Sequence, residues 1–140
     1  MPAGYSGTSL PKKLGINEST RLTVIAPPSG YAAILGTLPP TARIRPGLTR
    51  DTNLVHLFVT RREDLATHLS SLRFTLANDV AVWVSWPKKS AKVSTTVTED
   101  VIRELALPLG YVDVKVCAVT EVWSGLKLVV RKELRSNSLA

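Results

Sequence analysis

The sequence predicts an α/β fold in which helices cover both faces of a mostly parallel sheet of about six strands. Three observations lead there. Strand-like and helix-like segments alternate along the chain, the pattern of a parallel sheet with helical crossovers. The segments Arg21–Ala26, Leu54–Val59 and Val80–Ser85 are almost continuously apolar, as strands buried on both faces must be. The last two strand-like segments, Tyr111–Val119 and Leu126–Lys132, are joined by Thr120–Gly125, too short for a crossover helix. That final pair is therefore antiparallel.

Each element has a local cause. Leu10–Leu14 reads as one turn of helix in an arm spanning residues 1–20. Arg21–Ala26 is β-branched and apolar, and Pro27-Pro28 stops it. Ser29 is expected to cap a helix from Gly30 to Leu35, closed by Gly36 and Pro39-Pro40. Thr41–Arg45 follows as a short strand, Pro46-Gly47 as a turn, and Leu54–Val59 as a third strand. Thr60 and Glu63 have capping-box spacing, and Leu65, Leu69, Leu72 and Leu76 form one helical stripe. After Val80–Ser85, residues 86–96 are expected to loop. Thr98 caps a helix whose first turn carries Glu99 and Asp100 and whose end is marked by Pro108 and Gly110. The domain is expected to span residues 21–133, with a flexible tail over 134–140.

A chain of 140 residues is one domain, and its single cysteine excludes an internal disulfide. No apolar run is long enough to span a bilayer, and the N-terminus does not read as a signal peptide, so a cytoplasmic location is expected. The formal net charge is +7, which favours anionic partners. It is spread along the chain, with small clusters at Lys12-Lys13, Arg61-Arg62, Lys88-Lys89 with Lys92, and Arg131-Lys132 with Arg135.

This arrangement is Rossmann-like, and ligands in such sheets bind beyond the carboxyl ends of the strands, where the strand order reverses. That point is expected between Arg21–Ala26 and Leu54–Val59, in a crevice walled by Pro27–Tyr31, Thr60-Arg61 and Ser85–Lys89. The candidate ligand-binding residues are Ser29, Gly30, Tyr31, Thr60, Arg61, Ser85, Trp86, Lys88 and Lys89. In Trp83-Val84-Ser85-Trp86, alternation puts Trp83 and Ser85 on one face and Val84 and Trp86 on the other. The two tryptophans read equally as core residues, and the lysines as a solvated loop. Ser29-Gly30 can present backbone N–H groups to an anion, or Ser29 can serve only as a cap. Trp123-Ser124-Gly125 is placed in the last connection, with Gly125 supplying a turn conformation.

Catalytic and metal sites are not expected. Cys117 lies among apolar residues and reads as a structural thiol. His56, inside a strand, and His68, on a helix, are far from it and do not make a zinc site with it. No nucleophile elbow, Walker loop or Ser-His-Asp spacing is present.

The helix, Gly110-Tyr111, Asp113–Val116 and the returning Leu126–Val130 resemble the C-terminal ending of class I S-adenosylmethionine-dependent methyltransferases, over residues 54–132. That resemblance implies a shortened methyltransferase-like fold. A closer one is carried by LVHLFVT at Leu54–Thr60, WVSWPKK at Trp83–Lys89, TEDVIRELALPLG at Thr98–Gly110, VCAVTEVWSGLKLVVRK at Val116–Lys132 and GYSGTSLPKKLGI at Gly4–Ile16. Those segments resemble a small bacterial family, the domain of unknown function numbered thirty fifty-two, which implies no particular activity. The chain departs from the methyltransferase pattern at the cofactor loop. Pro27-Pro28-Ser29-Gly30 stands where a Gly-rich turn is needed, and Arg43 and Arg45 stand where an acid would hold the ribose. No cofactor is therefore expected, S-adenosylmethionine being the alternative. The expected function is a binding module, more non-catalytic than enzymatic, for a small anionic ligand or a protein partner. A divergent methyltransferase and a nucleic-acid-binding protein are the other readings.

Overall fold

The computed structural model describes residues 8–137. The chain runs α1 (Leu10–Leu14), β1 (Arg21–Ile25), α2 (Tyr31–Leu35), β2 (Arg43–Arg45), β3 (Leu54–Phe58), α3 (Arg62–Thr75) and β4 (Ala81–Pro87). It continues through α4 (Glu99–Ala106), β5 (Tyr111–Ala118), β6 (Trp123–Val130) and α5 (Lys132–Asn137). Six strands form one sheet in the order β2-β1-β3-β4-β6-β5. The pairs β1·β2, β1·β3 and β3·β4 are parallel, while β4·β6 and β5·β6 are antiparallel. The order reverses between β1 and β3, as the sequence predicts. A Rossmann-like α/β sheet with an antiparallel terminal hairpin is what forms.

Alternation along the strands feeds two cores. On one face Val55, Leu57, Val82, Val84, Trp86 and Leu128 pack against Leu65, Leu69 and Leu72 of α3 and Ile102 of α4. On the other face Leu22, Val24, Phe58 and Trp83 pack against Leu10 and Leu14 of α1 and Tyr31 and Leu35 of α2. The N-terminal arm is thus docked from Leu10 onward. Its anchor is polar as well as apolar, because the buried Trp83 indole Nε1 donates to the Leu14 carbonyl at 3.0 Å. The start of the arm, residues 1–7, lies outside the described residues.

Local chemistry differs from expectation at five points. Ser29 does not cap α2; Gly30 does, in the left-handed region that glycine enters without steric cost. Thr60 does not cap α3 through its side chain, since Arg61 is the cap residue. Instead the Arg62 N–H donates to the Thr96 hydroxyl at 2.7 Å, and Thr95 Oγ1 and the Thr96 N–H both donate to the Thr60 carbonyl. A distant loop caps this helix. β4 runs on through Trp86 and Pro87, which pair with Ser124 and Trp123, so the loop starts later than expected.

Trp123-Ser124-Gly125 belongs to β6 rather than to the turn. Gly125 supplies space, because a Cβ there would lie 3.1 Å from Val119 Cγ2 and 3.2 Å from Trp83 Cε3. The turn itself is closed by the Thr120 hydroxyl, which accepts from the Val122 and Trp123 N–H groups. Finally, the expected flexible tail over 134–140 begins within α5, and its last three residues lie outside the described residues. Leu134 packs against the core, and its carbonyl accepts from the Asn78 side-chain amide. Thr98, by contrast, caps α4 as predicted, accepting from the Val101 N–H at 3.2 Å.

Candidate functional site

β1 ends in an unusual way. Ala26, just past its last residue, has a positive φ and sits in the left-handed region. For a residue with a Cβ that conformation costs about 1–2 kcal/mol. The chain then turns through Pro27-Pro28 and the left-handed Gly30 into α2. The strained turn opens a hollow of about 470 Å³ at the carboxyl ends of β1 and β2. Its lining includes Val24, Ala26, Pro27, Tyr31, Ile44 and Arg45. The walls are mainly apolar, and Ile44 is 42% exposed, an apolar side chain with nothing over it.

Arg45 supplies the charge. Its Nε is buried and has no hydrogen-bond partner, while its Nη2 stands 3.6 Å from Asp51 Oδ2. The Thr49 hydroxyl, which donates to Asp51, together with the Arg45 and Arg21 charges, holds that carboxyl below its usual range. Among the lining residues no carboxylate is present.

Behind the hollow lies a polar chain inside the core. The Tyr31 hydroxyl and His56 Nδ1 are 2.8 Å apart, and His56 Nε2 is 2.7 Å from Ser85 Oγ. His56 and Ser85 are fully buried. Burial lowers the His56 pKa to about 3, so the ring is neutral and carries a single N–H. It donates through one nitrogen and accepts through the other, which satisfies both hydroxyl neighbours. Burial also pushes the Tyr31 phenol far above its usual value. Tyr31 meets both His56 and Phe58 edge-on, with ring centroids 5.5 Å apart in each pair. The arrangement has the members of a nucleophilic dyad but no access to substrate; its role is to fix Tyr31, one wall of the hollow.

The structure brings together only part of the predicted crevice. Pro27 and Tyr31 line the hollow, while Ser29 and Gly30 sit in the turn beside it. Ser85 and Trp86 are both buried. Thr60 is taken up by its carbonyl contacts with Thr95 and Thr96, and Arg61 is exposed and pairs with Glu63 at 3.6 Å. Lys88 and Lys89 enter a short 3₁₀ turn, Lys89–Ala91, away from the hollow's lining. Helix α2 is only five residues long and offers no anion-binding terminus. Arg45 is the site residue that sequence reasoning misses, because at the end of a second strand it counts only as the wrong charge for a ribose. It is the right charge for an acid.

A smaller hollow of about 260 Å³ lies at the opposite, amino end of the strands, lined partly by Asn17, Asn53, Asp79 and Lys127. Both asparagines are committed there: Asn17 Oδ1 accepts from the Ser19 N–H, and Asn53 bonds Arg21 and Ser19. Cys117 is partly buried. Lys13 and Lys115 stand near it, yet burial pushes the thiol up, so it is no activated nucleophile. Among the described residues no three His, Cys, Asp or Glu side chains gather into a metal-binding group. No described helix is long and apolar enough to cross a membrane.

Neither a known protein family nor any curated protein matches the chain.

Proposed function

We propose that this protein is a non-catalytic binding module for a small ligand that has an apolar body and one anionic group. The observation that carries the proposal is the apolar hollow at the carboxyl ends of β1 and β2, with Arg45 in its lining and the Arg45 Nε buried and unpartnered. Arg45 is the one cation among lining residues that include no carboxylate, so an anionic group entering the hollow has a guanidinium to approach. The hollow's volume falls within the range of small-molecule sites, about 300–1,000 Å³. Strain at Ala26 supports the same location, because outlying backbone clusters where ligands bind. The apolar body would cover Val24, Pro27 and Ile44, and the acid would accept from Arg45.

An adenosyl cofactor suits these residues less well. Its ribose hydroxyls call for a carboxylate at the end of the second strand, and Arg45 has the opposite charge. Thermal-shift measurements with decanoate, 1-decanol and S-adenosylhomocysteine test the reading. A ligand at a hundredfold excess over its Kd stabilises the fold by about 2.7 kcal/mol. Stabilisation by decanoate beyond decanol, lost in Arg45→Met, supports the proposal. Stabilisation by S-adenosylhomocysteine alone replaces it with the methyltransferase reading.

A further inference from the structure

The positive charge that looks diffuse along the chain is concentrated by the fold. Strand β2 pairs with β1 so that Arg21 lies opposite Arg43 and Thr23 opposite Arg45. Side chains at paired positions of parallel strands share a face, and residues two apart on one strand share it too. Arg21, Arg43 and Arg45 therefore stand together on one face of the sheet margin. Arg50, exposed on the following loop and adjoining Asp51 in sequence, adds a fourth arginine to this end of the sheet. Among the described residues Asp51 is the one carboxylate paired with this group, at 3.7 Å from Arg21 and 3.6 Å from Arg45. Arg43 Nη1 is held by its own loop's carbonyls, those of Pro40 and Ala42.

Like charges directly opposite one another across a strand pair destabilise a sheet. The facing Arg21–Arg43 pair is consequently a cost to folding that a bound polyanion removes. β2 is the last strand on its side of the sheet; Arg43 is exposed there, and Arg21 and Arg45 are partly exposed. We propose that the β1–β2 margin grips the phosphate backbone of a single-stranded nucleic acid. A narrow strip across two neighbouring strands, with Arg43 and Arg45 about 7 Å of backbone apart, matches one phosphate chain. Arginine, unlike lysine, meets each phosphate with paired N–H donors. The contact is to backbone and reads no sequence.

Fluorescence anisotropy with a labelled oligouridylate tests this against salt. Four phosphate contacts on a single strand give a slope of about −2.8 in log K against log salt. Affinity then falls about 50-fold between about 50 and about 200 mM salt. The double variant Arg43→Gln, Arg50→Gln keeps two contacts, and its affinity falls only about sevenfold over the same range. Lys88→Gln, Lys89→Gln leaves the wild-type slope in place. The proposal is overturned if wild-type protein does not bind at the lower salt, if the arginine variant matches wild type, or if the lysine variant loses as much. Binding to phosphatidylglycerol vesicles without binding to the oligonucleotide overturns it as well. Arg43 and Arg50 do not line the hollow, so failure here leaves the small-ligand reading untouched.

Discussion

The His56 imidazole and the Ser85 hydroxyl meet at 2.7 Å between neighbouring parallel strands, in a place that water does not reach. Ser85→Ala strands one ring nitrogen without a partner, which costs about 1–3 kcal/mol. Urea unfolding at neutral pH measures the loss.

The same histidine makes stability depend on pH with a definite sign. Its folded pKa, about 3, lies below the ordinary value of 6.5. Between those two values the unfolded chain binds a proton that the folded chain refuses. The contribution is therefore complete above the ordinary value and is lost as the pH falls below it. The loss is about 1.4 kcal/mol per pH unit. Unfolding free energies of the wild type should show this slope above the carboxylate range, and His56→Gln should flatten it.

Capping of α3 by a distant loop separates two threonines that look alike in sequence. Thr96→Ala removes the hydroxyl that accepts from the Arg62 N–H. The loss of that cap should cost about 1 kcal/mol. Thr60→Ala keeps the carbonyl that Thr95 and Thr96 use. Its effect should stay within about 0.5 kcal/mol. Paired denaturation curves decide between this cap and a local capping box, which would reverse the order.

A methyl group at Gly125 would press on Val119 Cγ2 at 3.1 Å and on the Trp83 indole at 3.2 Å, so those buried neighbours must give by a few tenths of an ångström. Gly125→Ala should destabilise by about 1–3 kcal/mol, the usual range for overpacking. Near-ultraviolet circular dichroism should also change, because the added methyl group presses on the Trp83 ring.

Asp51 competes with any anion for Arg45. Asp51→Asn should tighten binding of decanoate by a factor of about 1.5–5, the worth of one exposed ion pair. Calorimetric titration at low salt measures it, and the gain should shrink as salt is added.

The topology is legible in the sequence because its signals are local. Apolar runs in β1, β3 and β4, the leucine stripe of α3 and the short link before β6 each reside in a few consecutive residues. The site is only half legible because its contacts are not local. Tyr31 and His56 are 25 residues apart, His56 and Ser85 are 29 apart, and nothing in their spacing announces that they touch. Arg21 and Arg43 become neighbours only through strand register. Gly125 misleads in another way: a glycine suits both a turn and a tight contact, and periodicity does not distinguish them.

The most direct test is a two-dimensional amide NMR titration with decanoate, repeated with 1-decanol and with Arg45→Met. The account predicts saturable shifts at Val24, Ala26, Tyr31 and Ile44. It also predicts a preference of about tenfold or more for the acid over the alcohol, which Arg45→Met abolishes. Unmoved amides at those four positions, or equal affinity for acid and alcohol, would contradict it.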